Sequence, residues 1–416
     1  MPSSGSSADK MVFAHFMIGI VSTYTQQDHE NDQSLAKSKG IDGFALNIGV
    51  DPYTQQQLTL AYAAAEAVGF YCFISFDFNW WSTGDTAGVA NMLKQFISSP
   101  AAYKVDGKPF VSSFIGDGFN WGACAAAVGE PLYAVPFFQP TPSLATDDGL
   151  AGSFSWAAWP GQLDNVPVDQ NMTISRDEDY MDILTPAGKT YMAPVSPWFF
   201  THYGKEVSYS KNWLFYSEEL WKYRWDQILQ LGQKGVNLVE IVTWNDYGES
   251  HNVGPFNTPH TNDGAALWAS GLSHTSMLDL SVPYIEAFKA GLPVPVVTQE
   301  FMVYWHRPTL KDVECDSTDN CGSKPTGWEY VADSVFVATV TKNGAMVTVT
   351  SGDNAPVTQK VSGGIQIFQV PMSAGDQQFS MKTSWGMSTS GSSNVTVLDT
   401  CWNGIYNFDF HSGTLS

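Results

Sequence analysis

From Met11 to about residue 290 the chain repeats one unit, a short apolar run that ends in polar or aromatic residues, then a loop, then often a helical pattern closed by glycine. The runs are VFAHFMIG (12–19), IDGFALNIG (41–49), FYCFISFDFNW (70–80), FVSSFIGDG (110–118), LYAVPFFQP (132–140), SFSWAAWPG (153–161), TYMAPVSPWFF (190–200) and VNLVEIVTWND (236–246). They are nearly continuous in apolar residues, as parallel strands covered on both faces should be. Between them Leu58, Ala61, Ala65 and Val68 recur at helical spacing up to Gly69, and Met92, Leu93, Phe96 and Ile97 do so before Pro100. Gly40 and Gly69 each precede a strand, where a left-handed cap turns the chain back. Trp221, Trp225, Ile228 and Leu229 predict a helix, ending before Gly232, that joins the seventh and eighth runs.

Eight strands in about 240 residues predict an α/β fold with a (β/α)8 TIM-like barrel. The connection over 141–152 is too short for a proper helix, but a doubly wound sheet would want a Gly-rich phosphate loop that is missing. After residue 292 the pattern changes to period two, as in SVFVATVTKNGAMVTVTSG (334–352), GIQIFQVPM (364–372) and SNVTVLD (393–399). Asn343-Gly344 between two such runs predicts a hairpin. The expected organisation is a flexible or replaced start over 1–10, a barrel over 11–291, and a PVPVV linker with a β-sandwich-like domain over 292–416.

Length and composition agree with a large folded chain: 416 residues, 44% of them hydrophobic. Charge narrows the partners. With 41 acidic against 20 basic residues the net charge is −21, which disfavours nucleic acid and anionic membrane surfaces. No apolar stretch is long enough to span a bilayer. Aromatics reach 14%, with 15 Trp, a surface suited to neutral flat ligands such as sugar rings. Cys315 and Cys321 flank a short polar loop that a disulfide closes easily, while Cys72 and Cys124 pair only if their strands are neighbours. No CxxC or HExxH pattern supports a metal, and no dinucleotide loop, phosphate loop or serine elbow supports a cofactor or a serine nucleophile.

In a barrel, chemistry sits at the C-terminal strand ends. Those ends carry His15, Asp77, Asn79, Trp80, Asp117, Trp156, Trp159, Trp198, Trp244, Asn245, Asp246, Tyr247, Glu249 and His251. Carboxylates alternate with indoles around one rim, the inventory of a carbohydrate cleft. The densest stretch is Trp244 to His251, WNDYGESH, in which Asp246 and Glu249 leave a strand together and a turn at Gly248 presents both. Glycoside hydrolysis needs one protonated and one ionised carboxyl group. A surface turn is the plain alternative for this pair, and satisfied hydrogen bonding at strand ends is the alternative for Asp77 and Asp117. Packing competes with sugar stacking for the four tryptophans at 156, 159, 198 and 244, whereas Trp221 and Trp225 are expected in the core.

ADKMVFAHFMIG, FALNIG, SFDFNWW, FQPTP and above all VTWNDYGESHNVGP resemble the fungal α-1,3-glucanases, or mutanases, of glycoside hydrolase family 71. The resemblance covers residues 8 to 290, and the trailing β region resembles that family's accessory domain. It implies a secreted, wall-associated enzyme that cleaves internal linkages of α-1,3-glucan with inversion, Glu249 as general acid and Asp246 as general base. Asp77 would belong to the substrate cleft, with the remaining rim residues binding sugar. No cofactor or metal is implied, and a monomer is expected. The alternative is a noncatalytic glucan-binding protein of the fungal wall. The sequons at Asn171 and Asn394 suit secretion. MPSSGSS lacks a leader's apolar run and reads as a trimmed or replaced start.

Overall fold

The computed structural model describes residues 9–256, 260 and 263–416. Residues 1–8, most of the expected flexible start, lie outside them.

All eight apolar runs contribute strands: Met11–Met17, Gly43–Ile48, Tyr71–Asp77, Lys108–Phe114, Tyr133–Ala134, Gly152–Phe154, Thr190–Val195 and Leu238–Ile241. They form one curled parallel sheet in the order fifth, fourth, third, second, first, eighth, seventh, sixth, with Lys104–Val105 antiparallel on the fourth strand. First and eighth strands pair directly, Phe13 opposite Glu240. The ladder is open between the fifth and sixth strands. Their line is crossed there by a single Phe137–Phe154 bridge and by bonds from Ala151 N–H to the Ala134 carbonyl (2.9 Å) and from Phe154 N–H to the Pro136 carbonyl (2.8 Å). The fold is therefore α/β with a curled, open sheet.

Side chains alternate along these strands. On one face Phe13, Phe73, Phe110, Phe154, Met192 and Leu238 pack together. Toward the C-terminal ends the same period brings His15 and Glu240, whose side chains meet at 2.7 Å. The other face packs with Leu58, Ala61, Ala65, Leu93, Phe96, Trp225 and Ile228 from the helices. Helix Thr54–Val68 ends at Gly69 in the left-handed region (φ 70°), and Gly40 has φ 86°, as the turn-back predicts. Helix Leu220–Gln233 runs through Gly232 instead of stopping before it; a side chain there would meet Lys10 and Phe288 at about 3 Å.

Past residue 300 two separate four-stranded antiparallel sheets form. One holds Phe301–His306, Ser334–Thr341, Gly364–Pro371 and His411–Leu415, the other Ala345–Ser351, Val357–Val361, Gln377–Thr383 and Ser388–Ser392. Val335, Val337, Val347, Val349, Phe379 and Met381 share the core between them, and Tyr304 stacks on Phe379 at 4.1 Å. The expected hairpin at Asn343-Gly344 is absent: the two flanking strands belong to different sheets, so the turn is a corner between layers. Gly344 alone has positive φ, whereas a two-residue type I′ hairpin needs it at both central residues.

The Cys315–Cys321 bond that the short loop favours does not form, and Cys72 and Cys124, whose pairing needed neighbouring strands, do not pair either. Cys315 bonds to Cys401, 86 residues away, and Cys72, Cys124 and Cys321 are free. The CDSTDNC loop is closed by Asp319 instead, whose carboxylate accepts from the amides of Cys321, Gly322 and Tyr406. Cys124 lies on helix Trp121–Val128 rather than on a strand.

Candidate active site

The eighth strand leaves the sheet into residues 244–252, whose ends are tied together: Thr243 N–H donates to the His251 carbonyl, and Val253 and Gly254 N–H donate to the carbonyls of Thr243 and Trp244. Asn245 fastens this excursion to the end of the first strand. Its Oδ1 accepts from Met17 N–H (2.7 Å), and its Nδ2 donates to the Met17 carbonyl (3.2 Å). Within the turn Asp246 N–H donates to Thr243 Oγ1 and Glu249 N–H donates to Asp246 Oδ1 (3.1 Å), so the first carboxylate shapes the backbone that presents the second. Gly248 is required here, since a Cβ would stand 2.3 Å from the Tyr203 hydroxyl.

Asp246, Glu249 and His251 bring one ligand-capable atom each to within 4.8 Å of one another. Glu249 Oε2 meets His251 Nε2 at 3.0 Å, and Glu249 Oε1 is ion-paired with the ammonium of Lys211. Lys211 arrives on a hairpin after the seventh strand, Phe200–Tyr203 with Lys211–Leu214. Both Glu249 oxygens thus accept from donors. Burial opposes its charge, but Lys211 and His251 outweigh burial and bring Glu249 down to about 2. Asp246 moves the other way, raised by burial and by the negative charge of Glu249 against the pull of His251 and Lys211. Asp246 thus holds a proton more readily than Glu249. That order runs against the expected roles, in which Glu249 was the acid.

A cleft of 250 Å³ opens over Asp246 and over Lys211, the ion-pair partner of Glu249, and is lined by Trp80, Tyr203, Tyr209 and Asp263 among others. Trp80 is 67% exposed, a bare indole on the rim. A larger cavity of 490 Å³, beside Lys39, Asp279 and Phe301, holds neither member of the pair nor an exposed indole, so the chemistry points to the smaller one. The set Asp246, Glu249 and His251 has the composition of a cation site, but the Lys211 ammonium already neutralises Glu249. A second set, His202, Asp319 and Cys321, has its carboxylate taken up by amides and by His202 (2.7 Å).

A family model for glycosyl hydrolase family 71 matches residues 8–416. The chain belongs to glycosyl hydrolase family 71. It is 43% identical to a mutanase of Penicillium rubens over 99% of this chain and 90% of that one. It is 36% identical to a glucan endo-1,3-alpha-glucosidase of Schizosaccharomyces pombe (99% and 96% covered) and 28% identical to an ascus wall endo-1,3-alpha-glucanase of the same yeast (98% of each). The chain is therefore a glycoside hydrolase, and the noncatalytic alternative falls away.

In this family 71 enzyme the rim residues part into three groups. Trp80 lines the cleft with Asp246 and Tyr247, although the Tyr247 ring is buried against Phe256 and its hydroxyl donates to the Pro255 carbonyl. Asn79 is exposed beside Trp80, and its N–H donates to Asp77 Oδ1 (2.9 Å). Asp77 is buried, raised by that burial against the opposing Asn79 contacts and the charge of His15. A middle layer lies beneath: Trp156 meets His15 edge-on at 4.8 Å, and Trp159 lies 5.0 Å from His251 with its Nε1 donating to the Trp198 carbonyl.

The third group is structural. Trp198 is fully packed against His274 and Phe410, and Trp244 against Phe44, so neither ring is available to stack on a sugar. Both leave the strand end toward the surrounding layer rather than the cleft. Asn245 is spent on Met17. Asp117 is exposed, accepts from Gln139 N–H (2.7 Å) and does not line the cleft. Residues that the strand-end rule passed over are Lys211, Tyr203, Asp263 and Thr243; the Tyr203 hydroxyl donates to Asp263 at 2.5 Å. Lys211 carries no local motif, and only an amphipathic reading of 200–214 as a hairpin would have turned it toward the cleft.

Proposed function

We propose that the chain hydrolyses internal α-1,3-glucosidic linkages of α-1,3-glucan, with Asp246 and Glu249 as the carboxyl pair. The observation that carries this reading is the opposite electrostatic bias of two carboxyl groups three residues apart, one of which lines a cleft with an exposed indole, in a chain 43% identical to a mutanase. Asp246 protonates the leaving oxygen. Glu249, kept ionised by Lys211 and His251, acts on the anomeric side. Asp77, Asn79 and Trp80 hold the sugars, with His15, Trp156 and Trp159 as the floor beneath them; His251, expected to bind sugar, is fully buried and spends its ring nitrogens on Thr243 and Glu249 instead.

The resemblance implies inversion, and inverting pairs stand roughly 6.5 to 9.5 Å apart to admit a water. The nearest oxygens of Asp246 and Glu249 lie within 4.8 Å, so inversion requires Glu249 to part from Asp246 as sugar enters. The sheet would act as a (β/α)8 barrel over 11–291, supported by the bonds across its open seam, and 292–416 as a sandwich-like accessory domain. An extracellular, wall-associated enzyme, working as a monomer, is the reading, and the exposure of Asn171 and Asn394 supports its extracellular part. Among the described residues no helix is long and apolar enough to cross a membrane.

Proton NMR of fresh product from a soluble α-1,3-linked oligosaccharide tests the reading. Early β-anomer, lost in Asp246→Asn and Glu249→Gln, is expected. Early α-anomer would replace inversion by retention, and unchanged hydrolysis in both variants would remove the pair.

A further inference from the structure

Behind the catalytic turn lies a buried histidine that the proposed chemistry does not use. His274 sits two residues before helix Ser276–Lys289, 2% exposed. Its Nδ1 is 2.9 Å from the Asn252 carbonyl and its Nε2 is 2.9 Å from the Phe410 carbonyl. Carbonyl oxygens only accept, so both ring nitrogens must carry protons and the ring is an imidazolium. Its counter-charge is Asp409, whose Oδ1 lies 3.1 Å from Nε2. A buried charge of this kind persists only when paired and hydrogen-bonded, and His274 meets both conditions.

The two carbonyls belong to parts of the chain that matter for the pair. Asn252 follows His251, which holds Glu249, and the His251 carbonyl in turn anchors Thr243, on which Asp246 rests. Phe410 immediately precedes the last strand of the C-terminal sheets, His411–Leu415. That strand is fastened to the same spot by Ser412 N–H to the Ser273 carbonyl (2.7 Å) and Ser273 N–H to His411 Nδ1 (3.1 Å). Other ionisable groups nearby are His411, His306 and Arg307. His411 and His306 are pushed by burial to about 3 and about 4 and stay neutral, and Arg307 lies over the Phe410 ring at 4.2 Å.

We propose that His274 is a positioning residue for the reaction: as an imidazolium it clips the catalytic turn to the C-terminal strand, and on losing a proton it gives up one carbonyl and lets the turn drift. The inference rests on Asp246 and Glu249 being the working pair. Burial works against the charge of His274, but Asp409 and the two carbonyls outweigh burial and raise it above its ordinary 6.5. The C-terminal region thus acts on catalysis from behind, without touching sugar.

Trp198 reports on the clip, because its indole meets the His274 ring edge-on at 4.8 Å. The full-length enzyme is labelled with 5-fluorotryptophan, and the Trp198 resonance is assigned by its loss in Trp198→Phe. Its fluorine shift is followed with pH beside kcat on a soluble α-1,3-linked oligosaccharide. The expected result is one midpoint for the Trp198 shift and for the alkaline fall in kcat. In Asp409→Asn, which keeps the acceptor and removes the charge, both should move down by about one pH unit, with kcat below the midpoint unchanged. A Trp198 titration that kcat does not follow, or an Asp409→Asn limb that stays in place, overturns the proposal. If Asp409→Asn fails to fold, wild-type midpoints more than about one pH unit apart decide against it, and coincident midpoints that vanish together in His274→Gln decide for it. Absence of any hydrolysis would count against the working pair instead, since the fluorine titration needs no activity.

Discussion

Replacing Lys211 by Met keeps an aliphatic stem of similar length and removes the ammonium that pairs with Glu249 and stands 5.8 Å from the Tyr203 ring centre. Glu249 stands at about 2 against an ordinary 4.5. At about 1.36 kcal/mol per pH unit, that difference is roughly 3 kcal/mol in favour of the ionised carboxylate, net of burial and shared between Lys211 and His251. An opposite charge in contact lowers a carboxyl group by about 1 to 3 pH units, so losing Lys211 should lift Glu249 by about two. If Glu249 works as the ionised partner, the acid limb of kcat/KM rises by the same amount, and activity at pH 3 falls roughly tenfold while the plateau is kept. The assay is reducing-end release from a soluble α-1,3-linked oligosaccharide across pH, with circular dichroism at each point to confirm that the variant is folded. An acid limb that moves by less than half a unit would refute the reasoning. An upward shift of the alkaline limb in its place would make Glu249 the acid and restore the roles that the family resemblance implied.

Glu249→Gln and Asp246→Asn should each lower kcat by roughly a hundredfold to ten thousandfold with little change in Tm, and a variant keeping a tenth of the activity would exclude that residue from proton transfer. Trp80→Ala should raise KM by up to about tenfold and leave kcat and Tm near wild type, because only an exposed ring is lost. Trp198→Ala should instead cost about 3 to 5 kcal/mol in denaturant unfolding, and equal stability would mean that its ring is not core. Reduction of Cys315–Cys401 opens an 86-residue span and should lower stability by up to about 4 to 5 kcal/mol; an unchanged Tm with the thiols shown to be free would contradict this. The folded value of His274 is raised, so its stabilisation is complete below 6.5 and fades as pH rises through the folded value. Tm in wild type should therefore fall more steeply over that range than in His274→Gln.

Much of the framework was written locally. The eight apolar runs became the eight parallel strands, Gly40 and Gly69 took the left-handed turns predicted for them, and Trp221 and Trp225 went into the core. WNDYGESH also carried its own geometry, since Asp246 shapes the turn that presents Glu249 only three residues on. What local pattern misjudged was direction and partnership. Trp198 and Trp80 both follow strands, yet one points into the layer beside the C-terminal strand and the other stands at the cleft, because the turn after each strand rotates the side chain differently.

Periodicity and caps act over a few residues, so the sequence by itself determined the strands, most helix ends and the turn that bears the two carboxyl groups. Which acid holds the proton was decided only when the chain folded, because Lys211 and His251 set it, and Lys211 lies 38 residues from Glu249 in sequence. The same holds for Cys315 choosing Cys401 and for Asn343-Gly344 turning between sheets rather than within one. A side chain's charge state and its bonding partner depend on the groups that packing brings within about 4 to 6 Å, and no local spacing encodes that meeting.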